Sequence, residues 1–418
     1  MNSSGNVDHD AVLRARTTLL GSGTLSPLDE IEAYRVLADV SPLTYRPKLV
    51  RALMRRGGAP EFWHRPDVRL ALYGRAADAA RDLDTAYGQR EVLLFEALDR
   101  LQRELFAADR HEEARAVRAE SVESGWEGFT RGREPHGRLA VVLAEEGRHA
   151  DAAGLWGREV DAAPSARWPA LAATAALEAA GRHAEALETF AAFVDAGRRA
   201  RDTAEAAATT ATGAAATSAT ASATIDLVHR LAYLSRMSEH HADPCQARAA
   251  RAEALTLLGT IAEGAREQPP TGGDPAFWAA LFAMSAADRE PRATPDAAGP
   301  AFGETPSAWS HHVRRAYFDG VPALEAAVAA AGSPAERLAA QRRSTAAVTL
   351  RHVHGDRPVI ELAPLFDEGV RLARDLPEAA DRETATATAL TDRALFHLAG
   401  GRPGPAHADL REVVGPER

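Results

Sequence analysis

A six-residue motif that returns after one fixed interval most constrains the fold of this chain. The motif spans Gly147–Ala152 (GRHADA) and recurs at Gly181–Ala186 (GRHAEA), 34 residues further on. A period near this length is typical of stacked helix-turn-helix units. Each copy opens with glycine, which ends a helix in a left-handed conformation at no steric cost, and then places an acidic residue in the first turn of the next helix.

Weaker copies of the motif begin at Gly74, Asp109 and Gly401. The starts at 74, 109, 147 and 181 are separated by 35, 38 and 34 residues, so the spacing is nearly constant. No run of alternating apolar and polar residues predicts a strand. The sequence therefore predicts an all-α chain in which pairs of helices stack on neighbouring pairs, because one pair cannot bury its own apolar faces.

Around the two central motifs, small and apolar residues occupy a characteristic pattern of positions. In one unit these are Leu139, Ala140, Leu143, Ala152, Trp156 and Pro164, and in the next they are Ala173, Thr174, Leu177, Ala186 and Phe190. Residues 133–200 thus resemble the tetratricopeptide repeat (TPR), with departures at His136, Glu159 and Arg198. The segment Ala33–Leu53 looks like a helix junction of actinobacterial TPR proteins. The resemblance implies a right-handed α-solenoid that binds protein or peptide, and it implies no chemistry.

The chain is expected to form two lobes. Residues 1–27 are a tail with a possible short helix, 28–201 a TPR-like lobe, 202–224 an Ala/Thr-rich linker, and 225–418 a second, degenerate repeat lobe with a Pro/Gly-rich loop region at 268–308. The tract 202–224 carries no large apolar side chain that could anchor it to a core. It is interpreted as a linker with a frayed helical start, and a loosely held Ala-rich helix is the alternative.

Composition narrows the class of protein. The formal net charge of −10 argues against general binding to nucleic acid or to an anionic membrane. The single cysteine, Cys245, excludes an internal disulfide and fits a reducing compartment, and no signal peptide or membrane span is visible. A cytoplasmic protein is therefore expected. Lys48 is the one lysine among 49 basic residues, a bias typical of a high-GC genome.

The first helix of each pair is expected to line a concave binding groove. Its candidate residues are apolar or acidic: Glu134, Val141, Glu145, Leu171, Ala175 and Glu178. They favour an apolar or basic peptide, or a helix of a partner protein, and a regulatory scaffold without catalysis. Asparagine is absent after Asn6, which argues against the carboxylate clamp of one TPR subset. Glu145→Arg and Leu171→Asp are expected to abolish binding.

The motifs of common enzymes are missing, since the chain has no phosphate-binding glycine loop, nucleophile elbow or HExxH sequence. No catalytic, cofactor-binding or metal-ligating residue is predicted. Histidines at 149 and 183 are interpreted as polar turn residues that the repeat carries. Those at 240, 241, 311, 312, 352 and 354 are interpreted as helix-end or surface residues, because adjacent histidines on a helix point about 100° apart and residues two apart also face differently. The alternative is a metal-dependent hydrolase or other enzyme with a site in residues 225–320, where Glu239–Cys245 clusters possible ligands.

Overall fold

The computed structural model of the protein is all-helical in the parts of the chain that it describes. Those parts are residues 8–21, 25–130, 136–210, 214–241, 243–264, 274–286 and 302–415, and none of them forms a strand. Most helices that follow one another in sequence pack against each other. The all-α prediction is therefore confirmed, together with the packing of sequential helices. None of the helices in these ranges combines the length and apolarity that crossing a bilayer requires.

The chain divides into two compact units, and two of the boundaries between them fall within helices, at Leu139–Ala140 and at His312–Val313. Unit 1 comprises Met1–Leu139 and Ser310–His312, and unit 2 comprises Ala140–Trp309 and Val313–Arg418. The helices that begin within the first segment of unit 1 are α1 (His9–Leu20), α2 (Pro27–Val40), α3 (Pro42–Gly57), α4 (Pro66–Arg81), α5 (Arg90–Ala107), α6 (His111–Thr130) and α7 (His136–Glu145). A short 3-10 helix, Pro60–Phe62, precedes α4. The short helix expected within residues 1–27 is present as α1.

The remaining helices lie in unit 2, except that His311 and His312, at the start of one of them, belong to unit 1. They are α8 (His149–Ala162), α9 (Arg167–Ala179), α10 (His183–Thr210), α11 (Ala214–His240), α12 (Pro244–Gly264), α13 (Pro275–Ala286), α14 (His311–Asp319), α15 (Val321–Ala330), α16 (Pro334–His354), α17 (Ala363–Arg374), α18 (Ala379–Ala399) and α19 (Pro403–Val414), with a 3-10 helix at Val359–Leu362. The parts of the predicted loop region 268–308 at 268–273 and 287–301 lie outside the described residues, and α13 lies between them.

Four copies of the repeated motif form the same turn between paired helices. The first residue of each copy has a positive φ: 57° at Asp109, 78° at Gly147, 74° at Gly181 and 70° at Gly401. The N–H of the following arginine then donates to a carbonyl five residues earlier, in the pairs Arg110–Leu105, Arg148–Leu143, Arg182–Leu177 and Arg402–His397. This is the glycine-type helix end expected from the sequence. The sixth residue of each copy is a fully buried alanine: Ala114, Ala152, Ala186 and Ala406.

The copy of the motif at Gly74 was predicted to mark a turn, and that prediction is wrong. Gly74 lies in the middle of α4, which continues to Arg81. Three alanines that follow it are fully buried: Ala76, Ala77 and Ala80. Alanine favours helix strongly, and the packing of this small-residue face stabilises the helix further. Together they outweigh the cost of one glycine, so the helix continues through Gly74.

Gly181→Ala and Gly154→Ala are expected to change stability in opposite directions. The left-handed conformation at Gly181 costs an L-residue about 1–2 kcal/mol. Alanine also lowers the conformational entropy of the unfolded chain, which offsets part of this cost, so the free energy of unfolding should fall by about 1 kcal/mol. Gly154 is exposed inside α8 with no atom within 4 Å of an added Cβ, so alanine should gain about 0.5–1 kcal/mol. Urea unfolding measures both; a gain at Gly181 would contradict the turn geometry.

The segment 202–224 differs from the predicted linker. Its described residues belong to α10 and α11, which pack against each other inside unit 2. The boundary between compact units falls instead between Leu139 and Ala140. Alanine and threonine are small enough for two helices to approach closely, and the Thr220 hydroxyl donates to the Ala204 carbonyl across the pair (3.3 Å). Close approach thus replaces the large apolar anchors that the sequence lacks here.

Helix α13 forms the centre of unit 2. It packs against α9 and α11 on one part of its surface and against α16 and α18 on another. Phe277 and Trp278 are fully buried, and almost every other residue of the helix is buried as well. A helix that is apolar on all sides must be enclosed by other elements. The C-terminal helices therefore pack around α13 in the same unit as α8–α12, and α19 also packs against α12.

Candidate functional site

A cleft of about 500 Å³ opens in unit 2 beside the ends of three helices. We call it the α9–α11 cleft; it is lined by Ala175 and Glu178 of α9, His183 of α10, Tyr233 of α11, His241 and Phe302. The whole lining combines small and aromatic side chains with two carboxylates, three imidazoles and one guanidinium, since Arg236, Glu239 and His240 also line the cleft. Mixed surfaces of this kind, apolar with a few convergent polar groups, are typical of binding sites.

The motif turn at Gly181 positions the first two polar groups. Glu178 lies in the last turn of α9, and His183 is the first residue of α10. Because the left-handed Gly181 reverses the chain in so few residues, the two side chains emerge next to each other. His241 reaches them from elsewhere in the sequence: it directly follows the end of α11, where its N–H donates to the Met237 carbonyl (2.9 Å).

Glu178 accepts a hydrogen bond from each histidine. Its Oε1 lies 2.8 Å from His241 Nε2, and its Oε2 lies 3.3 Å from His183 Nδ1. The two imidazole rings stack with centroids 4.7 Å apart and planes inclined by 29°. One donor atom from each of the three side chains lies within 4.8 Å of the other two. The side chain of His183 is 49% exposed, whereas those of Glu178 and His241 are 22% and 14% exposed.

The other charged residues of the cleft are engaged in ion pairs. Arg236 pairs with the buried Asp392 of α18, and Glu239 pairs with Arg251 of α12. Asp392 also accepts a hydrogen bond from Arg342 Nε (2.9 Å), and Arg342 lines a second cleft of about 540 Å³ between α13, α16, α17 and α18. Asp392 thus links the two clefts through Arg236 and Arg342. Among the described residues, the one group of three metal-ligating side chains lies in the α9–α11 cleft.

The candidate groove residues lie in different environments. Ala175 and Glu178 line the α9–α11 cleft, as just described. Val141, Glu145 and Leu171 are buried, with at most 2% of each residue exposed. Glu134 lies outside the described residues. Substitution of any of these three buried residues would disturb folding as well as binding. The predicted groove therefore stays a prediction, and it cannot be tested by mutation at these positions.

A segment of the same chain lies against α9 at its middle. Gly303, with a φ of 93°, approaches the backbone so closely that an added Cβ would lie 2.6 Å from the Leu171 carbonyl oxygen and 2.7 Å from Ala172 N. Phe302 lines the cleft, and Trp309 at the other end of the segment is 2% exposed and packs edge-on against Tyr317 (5.4 Å). Gly303 therefore lies directly against the backbone of α9 at Leu171 and Ala172.

The histidine groups seen in the sequence separate in the structure. His241 alone from the Glu239–Cys245 cluster joins Glu178 and His183, two residues outside the range 225–320, and Cys245 is exposed. His352 donates from Nε2 to the Pro358 carbonyl (2.8 Å). His312 stacks on Phe106 within unit 1 (3.7 Å), and its pKa falls to about 3, because of burial first and then the charges of Arg118 and Arg138.

Sequence reasoning predicted no metal-ligating residue and missed the grouping of Glu178 with two histidines. The sequence did contain a local signal for the pairing of Glu178 with His183. His183 holds the third place of the motif, and Glu178 precedes it by five residues across the turn. At the equivalent places of the earlier copy stand His149 and Ala144, so the carboxylate is peculiar to one copy. The sequence pointed to His241 only as one member of the Glu239–Cys245 cluster. Its meeting with His183, 58 positions away, depends on the packing of α11 on α10.

Comparison with known proteins does not assign the chain to a family. No protein-family model matches the chain, and no curated protein sequence matches it. The conclusions about function therefore depend on the residues and geometry of this chain alone.

Proposed function

We propose that this protein is a TPR-like helical repeat protein that binds a segment of a partner protein in the α9–α11 cleft, without catalysis. The observation that carries the proposal is the cleft itself, which opens at Ala175 and Glu178, two of the residues singled out as groove candidates. Helix pairs joined by one repeated turn support the repeat assignment, as do the buried alanines of the motif. A right-handed superhelical path is part of the proposal.

The partner segment is an extended peptide with a basic side chain between apolar ones. Among the charged lining residues, Glu178 and Glu239 are acidic and Arg236 is basic, and Arg236 is paired with Asp392. The whole chain carries a net charge of −10, which favours the approach of a basic segment. Tyr233 and Phe302 supply apolar surface on which flanking side chains can pack.

The proposed setting is the cytoplasm, and the proposed role is regulatory, through the partner. Cys245 is exposed and forms no disulfide, which fits a reducing compartment. The acidic net charge supports a protein partner over nucleic acid or an anionic membrane.

Ala175→Arg is expected to weaken peptide binding at least about tenfold, because the long side chain fills the cleft and places a positive charge beside Glu178. The probe is a fluorescein-labelled peptide selected on the full chain from a random display library, and fluorescence anisotropy gives its Kd. Ala206→Arg is the matched control, since Ala206 is exposed on α10 and is not among the cleft residues. Changing the basic residue of the peptide to glutamate should weaken binding equally.

Two results would contradict this proposal. One is a selection that yields no peptide with saturable binding. The other is a peptide that binds wild type, Ala175→Arg and Ala206→Arg with the same Kd, because its site would then lie outside the cleft.

A further inference from the structure

Three side chains with metal-ligating atoms converge at the mouth of the α9–α11 cleft from the ends of three different helices. Glu178 ends α9, His183 begins α10 and His241 follows α11. Their donor atoms are Nδ1 of His183, Nε2 of His241 and the two carboxylate oxygens of Glu178, with N···O distances of 3.3 and 2.8 Å. Either imidazole nitrogen can ligate a metal ion.

We propose that Glu178, His183 and His241 bind a divalent transition-metal ion, and that zinc is the ion their donors suit best. Two imidazoles and one carboxylate form a known ligand set for zinc. With bonds of about 2.0–2.1 Å, neighbouring ligand atoms of a tetrahedral zinc site lie about 3.3 Å apart. The N···O distances in the structure are already near this value, and all three donors lie within 4.8 Å of one another. Movements of about 1 Å would therefore complete the site.

The competing explanation is a hydrogen-bonded trio that fastens the three helix ends together without any ion. The stacked rings, inclined by 29°, fit that arrangement, and an ion would require the rings to rotate so that both nitrogens face one point. The ion would replace two N–H···O hydrogen bonds with stronger bonds to the metal. The exposure of His183 gives the ion a direct path from solvent, and rotation of an exposed ring costs little.

The geometry has two consequences beyond ion capture. Three protein ligands leave a tetrahedral ion one open position, and all three residues line the cleft, so water can occupy that position. The ion would also join the ends of α9, α10 and α11, so its binding energy would stabilise the fold of unit 2.

Equilibrium dialysis of the EDTA-treated full chain against ZnCl₂, read by elemental analysis, tests the proposal. We expect one zinc ion per chain and a rise in the melting temperature on zinc addition. His183→Ala and His241→Ala should each weaken binding by more than about tenfold, because even the loss of a residue that only supports a ligand costs about 10–100-fold. Glu178→Gln should have a similar effect while it keeps the size of the side chain.

His149→Ala is the matched control. His149 holds the same place in the preceding motif copy, but Ala144 stands where Glu178 stands in the next. Its removal should leave zinc affinity unchanged, which separates the site from adventitious binding by any of the 15 histidines. Circular dichroism of each EDTA-treated variant checks that it is folded. The visible spectrum of the cobalt-substituted chain, intense for tetrahedral and weak for octahedral coordination, reports geometry independently.

Absence of saturable zinc and cobalt binding by the folded wild type would overturn the proposal and leave the hydrogen-bonded trio. Equal affinities for wild type, His183→Ala and His241→Ala would also overturn it, since the ion would then bind elsewhere. No peptide is present in these measurements. Failure of peptide binding therefore leaves them intact, and failure of zinc binding leaves the peptide proposal intact.

Discussion

Gly303→Ala is expected to loosen the segment Phe302–Trp309 from α9 and to speed its amide hydrogen exchange about 100-fold. The φ of 93° costs an L-residue about 1–2 kcal/mol. The new Cβ would in addition lie 2.6 Å from the Leu171 carbonyl oxygen, and forcing extra volume against packed atoms costs about 1–3 kcal/mol. The combined cost of about 3 kcal/mol corresponds to about two factors of ten in the opening equilibrium.

The clash at Gly303 involves backbone atoms of a helix, so rotation of a side chain cannot relieve it. Either α9 or the segment must move. The segment is the element that yields, because α9 is held by its own hydrogen bonds and by its packing on α8, α10 and α13. The face of α9 around Leu171 would then become accessible, and with it part of the groove expected from the sequence.

Hydrogen exchange followed by mass spectrometry, on peptides covering residues 302–320 and 167–180, measures this effect. Gly404→Ala is the control, because an added Cβ there meets nothing within 4 Å and φ is not in the left-handed region. Unchanged exchange in Gly303→Ala would mean that the close approach of this segment to α9 does not exist in solution.

The repeated motif was the part of the fold most accessible from sequence. Its glycine, its first-turn acid and its final alanine each have a local physical reason, and four copies form the same turn. The prediction of a turn at Gly74 failed because the residues after it favour helix and are buried. A local sequence pattern does not contain that information about tertiary packing. Trp156 and Phe190, the aromatic members of the repeat pattern, are buried.

Packing between helices that are far apart in the chain could not be predicted from sequence in the way that the motif turns could. The tract 202–224 lacks large apolar side chains, and only the partner helix makes close packing of alanine and threonine favourable. The packing of helix α13 depends on α16 and α18, which follow much later in the chain. The candidate site has the same character: Glu178 and His183 meet through a local turn, whereas His241 meets them only through the fold.

His229 is expected to make stability depend on pH between about 4 and 6.5. It is buried in α11, where its Nε2 lies 3.3 Å from the Leu395 carbonyl of α18. Its pKa is lowered from 6.5 to about 4, chiefly by burial and further by the charge of Arg167. The backbone hydrogen bonds and the charge of Asp274 act in the opposite direction but are weaker. The folded protein thus keeps this imidazole neutral where the unfolded chain protonates it.

The sign of the effect follows from this difference in proton binding. Well above pH 6.5 the imidazole is neutral in both states, and its contribution to stability is constant. As the pH falls towards 4, the unfolded chain binds a proton that the folded chain does not, so the free energy of unfolding decreases. Between pH 7.5 and 4.5 the expected loss is about 2.5 kcal/mol, from 1.36 kcal/mol for each pKa unit.

The variant His229→Gln isolates this contribution, because the amide can still donate to the Leu395 carbonyl but does not titrate. Urea unfolding of wild type and variant at pH 7.5, 6.5, 5.5 and 4.5 gives the two stability profiles. They should run parallel above pH 6.5, and the wild type should lose about 2.5 kcal/mol more than the variant by pH 4.5. Carboxylates and other histidines titrate in both proteins and cancel in the difference. Parallel profiles down to pH 4.5 would mean that the folded protein protonates this imidazole as readily as the unfolded chain, and therefore that water reaches the contact between α11 and α18.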